Sequence, residues 1–191
     1  MPELPEVETT KTSLAPLIGQ EVTAVDIYQP KLRWPMPDDL HTLIGYRLIA
    51  TTRRAKYLIL HFAPSIPLPP SSGDNKVNKN KSLLIHLGMS GSLQQYPAGQ
   101  PIRKHDHLIV TFASGIDKTD SSNQSNDKNK DNNRAASSKL KNPSSTLLTQ
   151  LHYHDPRRFG AVLWLEDYEE KLLNHLGVEP LSETFNGQYL F

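Results

Sequence analysis

Seven short runs, each rich in β-branched and aromatic residues and closed off by turn-forming residues, set the limits on this fold. They are EVTAVDIY (21–28), YRLIATT (46–52), KYLILHF (56–62), SLLIHLG (82–88), HLIVTFA (107–113), LTQLHYH (148–154) and FGAVLWL (159–165). Each has the length and residue preferences of a strand. Only the two ends read as helix. Pro5 suits a first helical turn, Glu6 and Glu8 suit its positive end, and Val7, Leu14, Leu17 and Ile18 form an apolar stripe running to Gly19. Near the other end EDYEEKLLNHL (166–176) is amphipathic and is stopped by Gly177. Seven strands with two flanking helices predict a mainly β fold, a sandwich or a barrel.

Two stretches between these runs have a different composition. PSIPLPPSSGDNKVNKNK (64–81) and the longer Asn-, Ser-, Asp- and Lys-rich stretch 114–147 hold few large apolar residues. Such segments bury too little surface to offset their ordering entropy, and both read as disordered loop insertions within a single domain, 1–191. They explain why only 37% of the 191 residues are hydrophobic and why mean hydropathy is as low as −0.51. About 140 residues remain without them, an ordinary domain size. No apolar run approaches a membrane span and the first apolar residues are interrupted by acids, so a cytoplasmic protein is expected. There is no cysteine, hence no disulfide framework and no thiolate metal site.

The formal net charge of +1 hides an asymmetry. Segments 66–81 and 114–147 carry 9 of the 21 basic and 5 of the 20 acidic residues, leaving 12 basic against 15 acidic elsewhere. Any site for nucleic acid must therefore be a local patch, not a property of the whole surface.

Several stretches could carry chemistry. Once Met1 is removed, Pro2 presents a secondary amine, and an α-amino group titrates near neutrality, at about 7.7–8.0. Such an amine forms a Schiff base with an aldehyde-level carbon, and Glu3 beside it could move protons. The same residues equally suit plain helix capping. Lys56, opening an apolar strand after Arg53 and Arg54, could hold its ammonium over a cleft or simply solubilise a sheet edge. Met89, in HLGMSGSL, and Phe159, in HYHDPRRFGAVLW, sit in turns where polar residues are usual. Each could wedge between stacked bases or fold back onto the core. Arg157 and Arg158 can grip phosphate or a base edge. His105 and His107, flanking Asp106, are too few to argue for a metal and suit ordinary hydrogen bonding from one face of a strand. Together these features suit an enzyme that extrudes a nucleotide and fills the gap left behind.

The motifs MPELPEVET, KLRWP, RRAKYL, HLGMSGSL, KHDH, DPRRFGA and HLGVEPLSETFNGQYL, in this order, resemble the formamidopyrimidine-DNA glycosylase family. The resemblance implies a two-layer β-sandwich with an N-terminal and a C-terminal helix. It implies a base-excision glycosylase and AP lyase that removes oxidised purines, 8-oxoguanine and formamidopyrimidines, from damaged double-stranded DNA, as a monomer with no membrane partner. Carried over motif by motif, Pro2 attacks C1′ and forms the Schiff base, Glu3 handles protons, and Lys56 serves β-elimination and a phosphate near the lesion. Met89, Arg157 and Phe159 enter the helix, and His105 and Arg157 contact DNA. The family continues into a helix–two-turn–helix module and a four-cysteine zinc finger. This sequence stops at Phe191 without a cysteine, so the C-terminal DNA-binding domain is expected to be absent, together with its zinc, and no cofactor is expected. A catalytically silent fragment or a weak damaged-DNA-binding module is the alternative implied by that departure.

Overall fold

A computed structural model describes residues 3–66, 79–114, 147–179 and 182; Pro2, the interiors of both polar segments (67–78 and 115–146) and most of the last twelve residues lie outside them. Helix α1 (Leu4–Ser13) opens the chain and is followed by a 3₁₀ turn, Ala15–Leu17. Eight antiparallel strands come next: β1 (Glu21–Ile27), β2 (Tyr46–Arg54), β3 (Tyr57–Pro64), β4 (Lys81–His86), β5 (Ser92–Pro97), β6 (Asp106–Ala113), β7 (Leu148–His154) and β8 (Ala161–Trp164). Helix α2 (Leu165–Leu172) follows β8 directly.

The strand order is β5-β7-β6-β1-β2-β3-β4-β8. Between β1 and β2 a single ladder pair, Glu21 with Arg47, joins the two four-stranded halves. Inward-facing residues of both halves meet in one core that includes Leu48, Leu58, Leu60, Phe62, Leu83, Ile85, Val110, Phe112, Leu151, Tyr153 and Val162. This is the expected two-layer sandwich, made by folding one sheet over its weakest seam. The polar segments connect neighbouring strands, β3 to β4 and β6 to β7, where a longer hairpin loop adds little closure entropy.

Alternation along β3, β4 and β8 explains α2. Ile59, Leu84, Ala161 and Leu163 point away from the main core and form a second cluster with Leu173, flanked by Trp34, Tyr57 and Tyr168. Trp34 and Tyr168 rings stand 4.9 Å apart over this face. The helix ends at Leu172, four residues short of the expected 176, because Leu173 turns into the cluster.

Three expectations change. The strand count is eight, since SLQQYP pairs along its whole length with β7; only Leu93 is buried there, so its alternation was too polar to read. Ile18 is 45% exposed while Val7, Leu14 and Leu17 are buried, because the chain leaves helical geometry after Ser13. Lys56 does not open a strand. It lies with Ala55 in the two-residue turn between β2 and β3.

That turn is held from three directions. Ala55 adopts φ +50°, a left-handed conformation costly for a residue with a Cβ. Its amide donates to the Glu179 carboxylate, and its carbonyl accepts from Arg53 at 3.0 Å. Arg53, nearly buried, also donates to Glu8 of α1 at 2.7 Å and to Glu179 at 3.0 Å. Arg54 donates to the carbonyls of Leu176 and Gly177 and pairs with Glu179 at 3.4 Å. Burial pushes the Glu179 carboxyl up, but the Ala55 amide and the Arg53 guanidinium outweigh it, so it sits below the usual glutamate range. Glu8 is likewise lowered, by hydrogen bonds from Lys11 and Arg53.

A carboxyl with a depressed folded-state pKa contributes stability above its unfolded pKa, and that stability is lost as pH falls through the folded value. Glu179→Gln should therefore lower stability at pH 7 by about 1.5–3 kcal/mol, the range for hydrogen bonds to charged groups. Thermal melts should show the gap from wild type closing as pH drops below the ordinary glutamate pKa of about 4.3. In the same melts Leu17→Ala should cost about 2–5 kcal/mol and Ile18→Ala within about 0.5 kcal/mol.

Candidate functional site

Glu3 is the N-cap of α1, with extended backbone geometry. Its amide donates to Glu6 Oε2 at 2.9 Å, and its carboxylate accepts from the Glu6 amide in a reciprocal capping box. The carboxylate stays exposed while held at the helix start, so capping and proton handling are compatible roles for one group. Leu4, one residue on, shares a cleft of about 260 Å³ with Arg54, Ala55, Lys56, Leu176, Gly177 and Glu179. The Glu8–Arg53–Glu179 linkage thus brings the start of α1 and the half-buried Lys56 to one surface. Pro2 precedes this helix start and lies outside the described residues.

From Lys56 the ladder leads to a second cleft. Tyr57 pairs in register with His86, their rings 5.0 Å apart. His86 lines a cleft of about 420 Å³ with Arg33, Gly88, Met89 and Phe159. Burial, then Arg33 and Lys56, lower the His86 pKa, with Asp155 opposing them. His86 is therefore a neutral donor or acceptor at pH 7 beside the Arg33 and Lys56 side chains. Sequence reading passed over His86 and Arg33, because neither residue type stands out inside an apolar strand or a KLRWP loop.

Met89 is 41% and Phe159 47% exposed, so neither folds back onto the core. Their turns touch backbone to backbone. Gly88 has φ +65°, and a Cβ there would lie 2.5 Å from Gly160 N. A Cβ on Gly160 would lie 1.7 Å from the Tyr153 hydroxyl, which donates to the His86 carbonyl at 3.2 Å. Arg158 takes φ +57°, and the exposed Arg157 guanidinium lies 5.9 Å from the Phe159 ring centroid.

The KHDH segment lies behind these turns. A bulge between Asp106 and Leu108 leaves His107 as the unpaired extra residue of β6. The rings of His105 and His107 stand 6.5 Å apart but differ in burial: His107 is buried and bonds the Asp155 carbonyl at 2.7 Å, while His105, in the turn before β6, remains partly exposed. His105 is lowered by partial desolvation and by the neighbouring Lys104, His154, His107 and Arg158. Buried Asp106 accepts from the Arg103 amide at 2.9 Å, Arg103 Nε at 3.1 Å, His152 Nδ1 at 3.0 Å and His154 Nδ1 at 2.9 Å. Burial pushes its carboxyl up, but Arg103 and the two histidines hold it well below the usual aspartate range.

Asp155 was legible only as a turn former before proline. It is fully buried, and its carboxylate accepts from Ser90 Oγ at 2.9 Å, Gly160 N at 2.8 Å and Arg157 N at 3.3 Å. The described residues contain no group of three or more potential metal ligands, and the sequence supplies no cysteine for zinc. Among the described residues, no helix is long and apolar enough to cross a membrane.

Residues 1–162 match the model for the formamidopyrimidine-DNA glycosylase N-terminal domain. The formamidopyrimidine-DNA glycosylase of Psychrobacter arcticus is 52% identical across this whole chain, and that of Acinetobacter baylyi 43%. In both cases the match covers 53% of the relative, so the chain spans about half the length of these proteins. A solved complex of LlFpg with a THF-DNA and an inhibitor is 25% identical, with a TM-score of 0.57 over 89% of this chain and 48% of that one. Lactococcus lactis Fpg bound to DNA containing N7-benzyl-Fapy-dG has the same fold at 24% identity and a TM-score of 0.57, over 88% of this chain and 46% of that one. The chain belongs to the formamidopyrimidine-DNA glycosylase family and carries its N-terminal domain.

Proposed function

We propose that this chain is the catalytic domain of a glycosylase and AP lyase that removes oxidised purines, 8-oxoguanine and formamidopyrimidines, from duplex DNA. The observation that carries the reading is the placement of two clefts at the same end of the β3–β4 ladder. One joins the start of α1 to Lys56, and the other, reached through the Tyr57–His86 pair, ends at the exposed Met89 and Phe159. A flipped nucleotide needs a nucleophile on one side and a filler for the vacated stack on the other.

In the proposed mechanism the Pro2 amine attacks C1′, and the damaged base leaves with a proton supplied from the Glu3 side of the cleft. Ring opening gives an iminium between Pro2 and C1′. That cation withdraws electrons and acidifies C2′–H, so a base can remove the proton and expel the 3′ phosphate. Lys56 supports this step by neutralising the phosphate. Water then hydrolyses the iminium and frees the amine. Met89 and Phe159 fill the void, Arg157 faces the unpaired base, and His105 contacts the backbone.

Borohydride trapping tests the chemistry. Wild type incubated with an 8-oxoguanine duplex and reductant should give a covalent adduct, absent in Pro2→Gly and strongly reduced in Glu3→Gln. A chain that binds the duplex in a salt-dependent way but forms no adduct would be a damaged-DNA-binding module; one that does neither would be a silent fragment.

The electrostatics supply a second test. His105 has a lowered pKa and is neutral at pH 7, so acidification adds a cation facing phosphate. The slope of log affinity against log salt should steepen as pH falls below the ordinary imidazole value of about 6.5, by up to about 0.9 per phosphate neutralised. His105→Gln should show less steepening than wild type.

A further inference from the structure

Met89 and the Arg157–Phe159 turn are 68 to 70 residues apart in sequence, yet one side chain holds both. Asp155 spends one carboxylate oxygen on Ser90 Oγ (2.9 Å), beside Met89, and the other on Gly160 N (2.8 Å), beside Phe159. The oxygen facing Ser90 also accepts from Arg157 N at 3.3 Å. The Asp155 backbone extends the linkage to the KHDH segment: its amide donates to the His105 carbonyl at 3.0 Å, and its carbonyl is bonded by His107.

The placement is costly unless it has a return. Among the described residues no cationic side chain is hydrogen-bonded to this fully buried carboxylate, which exchanges its hydration for neutral donors. All of these donors lie on the turns whose side chains project outward. The turns also lack room to slide, because Gly88 and Gly160 meet at backbone distance and the Tyr153 hydroxyl fills the space a Cβ on Gly160 would need.

We propose that Asp155 is a positioning residue that clamps the Met89 turn and the Arg157–Phe159 turn into one rigid wedge, so that both enter duplex DNA together. The proposal deepens the glycosylase reading and rests on it for the DNA step alone. Separate turns would each lose loop entropy on insertion. A clamped pair has lost it already on folding, so that cost no longer falls on binding. Ser90 is the thinnest part of the clamp, and its removal should be felt on the far side.

The clamp is tested first without DNA, by NMR on the full chain. Methionine methyl labelling is well suited because the sequence has three methionines, of which Met36 is buried in the core and reports folding while Met89 reports the wedge. Ser90→Ala should speed hydrogen exchange at the Gly160 amide by about fivefold or more, and Asp155→Ala should broaden or shift the Met89 methyl with Met36 unchanged. Asp155→Asn keeps one acceptor for Gly160 and can donate to Ser90 Oγ but loses the bond from Arg157 N, so it should recover protection at the Gly160 amide and the Met89 methyl signal but not protection at the Arg157 amide. A Gly160 amide indifferent to Ser90→Ala overturns the clamp, and this variant decides the matter even if Asp155→Ala fails to fold.

The DNA arm uses a duplex with a tetrahydrofuran abasic analogue and 2-aminopurine as the neighbouring base. Wild type should raise the fluorescence on binding. Ser90→Ala should slow that rise severalfold while leaving the salt slope, which reports phosphate contacts, unchanged. An equal rate of rise in Ser90→Ala overturns concerted entry. A wild-type chain that gives no rise overturns the glycosylase reading, and the NMR result then stands on its own for the clamp.

Discussion

Strands β3, β4 and β8 are apolar on both faces, so this part of the sheet has to be covered twice. The other half of the folded sheet covers one face, and α2 with Trp34 covers the other. Each cover has a consequence for the site. Closing the sandwich sets the β4–β5 turn, with Met89, against the β7–β8 turn, with Phe159. Placing α2 on the outside delivers the chain after Leu173 to the β2–β3 turn, where Glu179 reaches Ala55, Arg53 and Arg54. The functional surfaces are therefore by-products of satisfying hydrophobic burial on both sides of one sheet.

Two buried carboxylates then set those surfaces in place, by different means. Asp106 is matched by Arg103 and two histidines, a charge-rich network that anchors the KHDH bulge. Among the described residues Asp155 has only neutral hydrogen-bond donors, from the two outward-facing turns. The first arrangement is strongly stabilised by opposite charge. The second holds a charge in place through geometry alone, and so ties its energy to the relative position of the turns. The Lys56, Arg33 and Arg157 side chains stay outside both networks and line or border the two clefts. This local distribution is how a chain that is net acidic outside its two polar segments can still present a cationic cleft.

The glycosylase chemistry proposed for the chain needs little from the protein in the way of bonds. An amine, a proton carrier and a phosphate neutraliser suffice, provided that a nucleotide is held out of the stack. Most of the described structure serves that provision: the helix start is capped locally, while the strained Ala55–Lys56 turn and the paired wedge turns are fixed by contacts between segments distant in sequence.

Strand runs, turn residues and the N-terminal Pro-Glu pattern were legible because each depends on neighbours within a few positions: side-chain alternation, backbone sterics and capping. They predicted seven of the eight strands and both helices, and motif resemblance supplied the candidate site residues. β5 was missed because SLQQYP owes its strand geometry to β7 and not to its own alternation. Lys56 was read as a strand opener because nothing nearby shows that Glu179, more than a hundred residues on, holds Ala55 in a left-handed turn. The burial of His107 was not legible because its partner, the Asp155 carbonyl, lies 48 residues on. The sequence by itself determined which residues must be buried and which chemical groups are available. Only the tertiary structure decided which of those groups meet, since Asp155, Glu179 and His86 act through partners that chain-local physics does not specify.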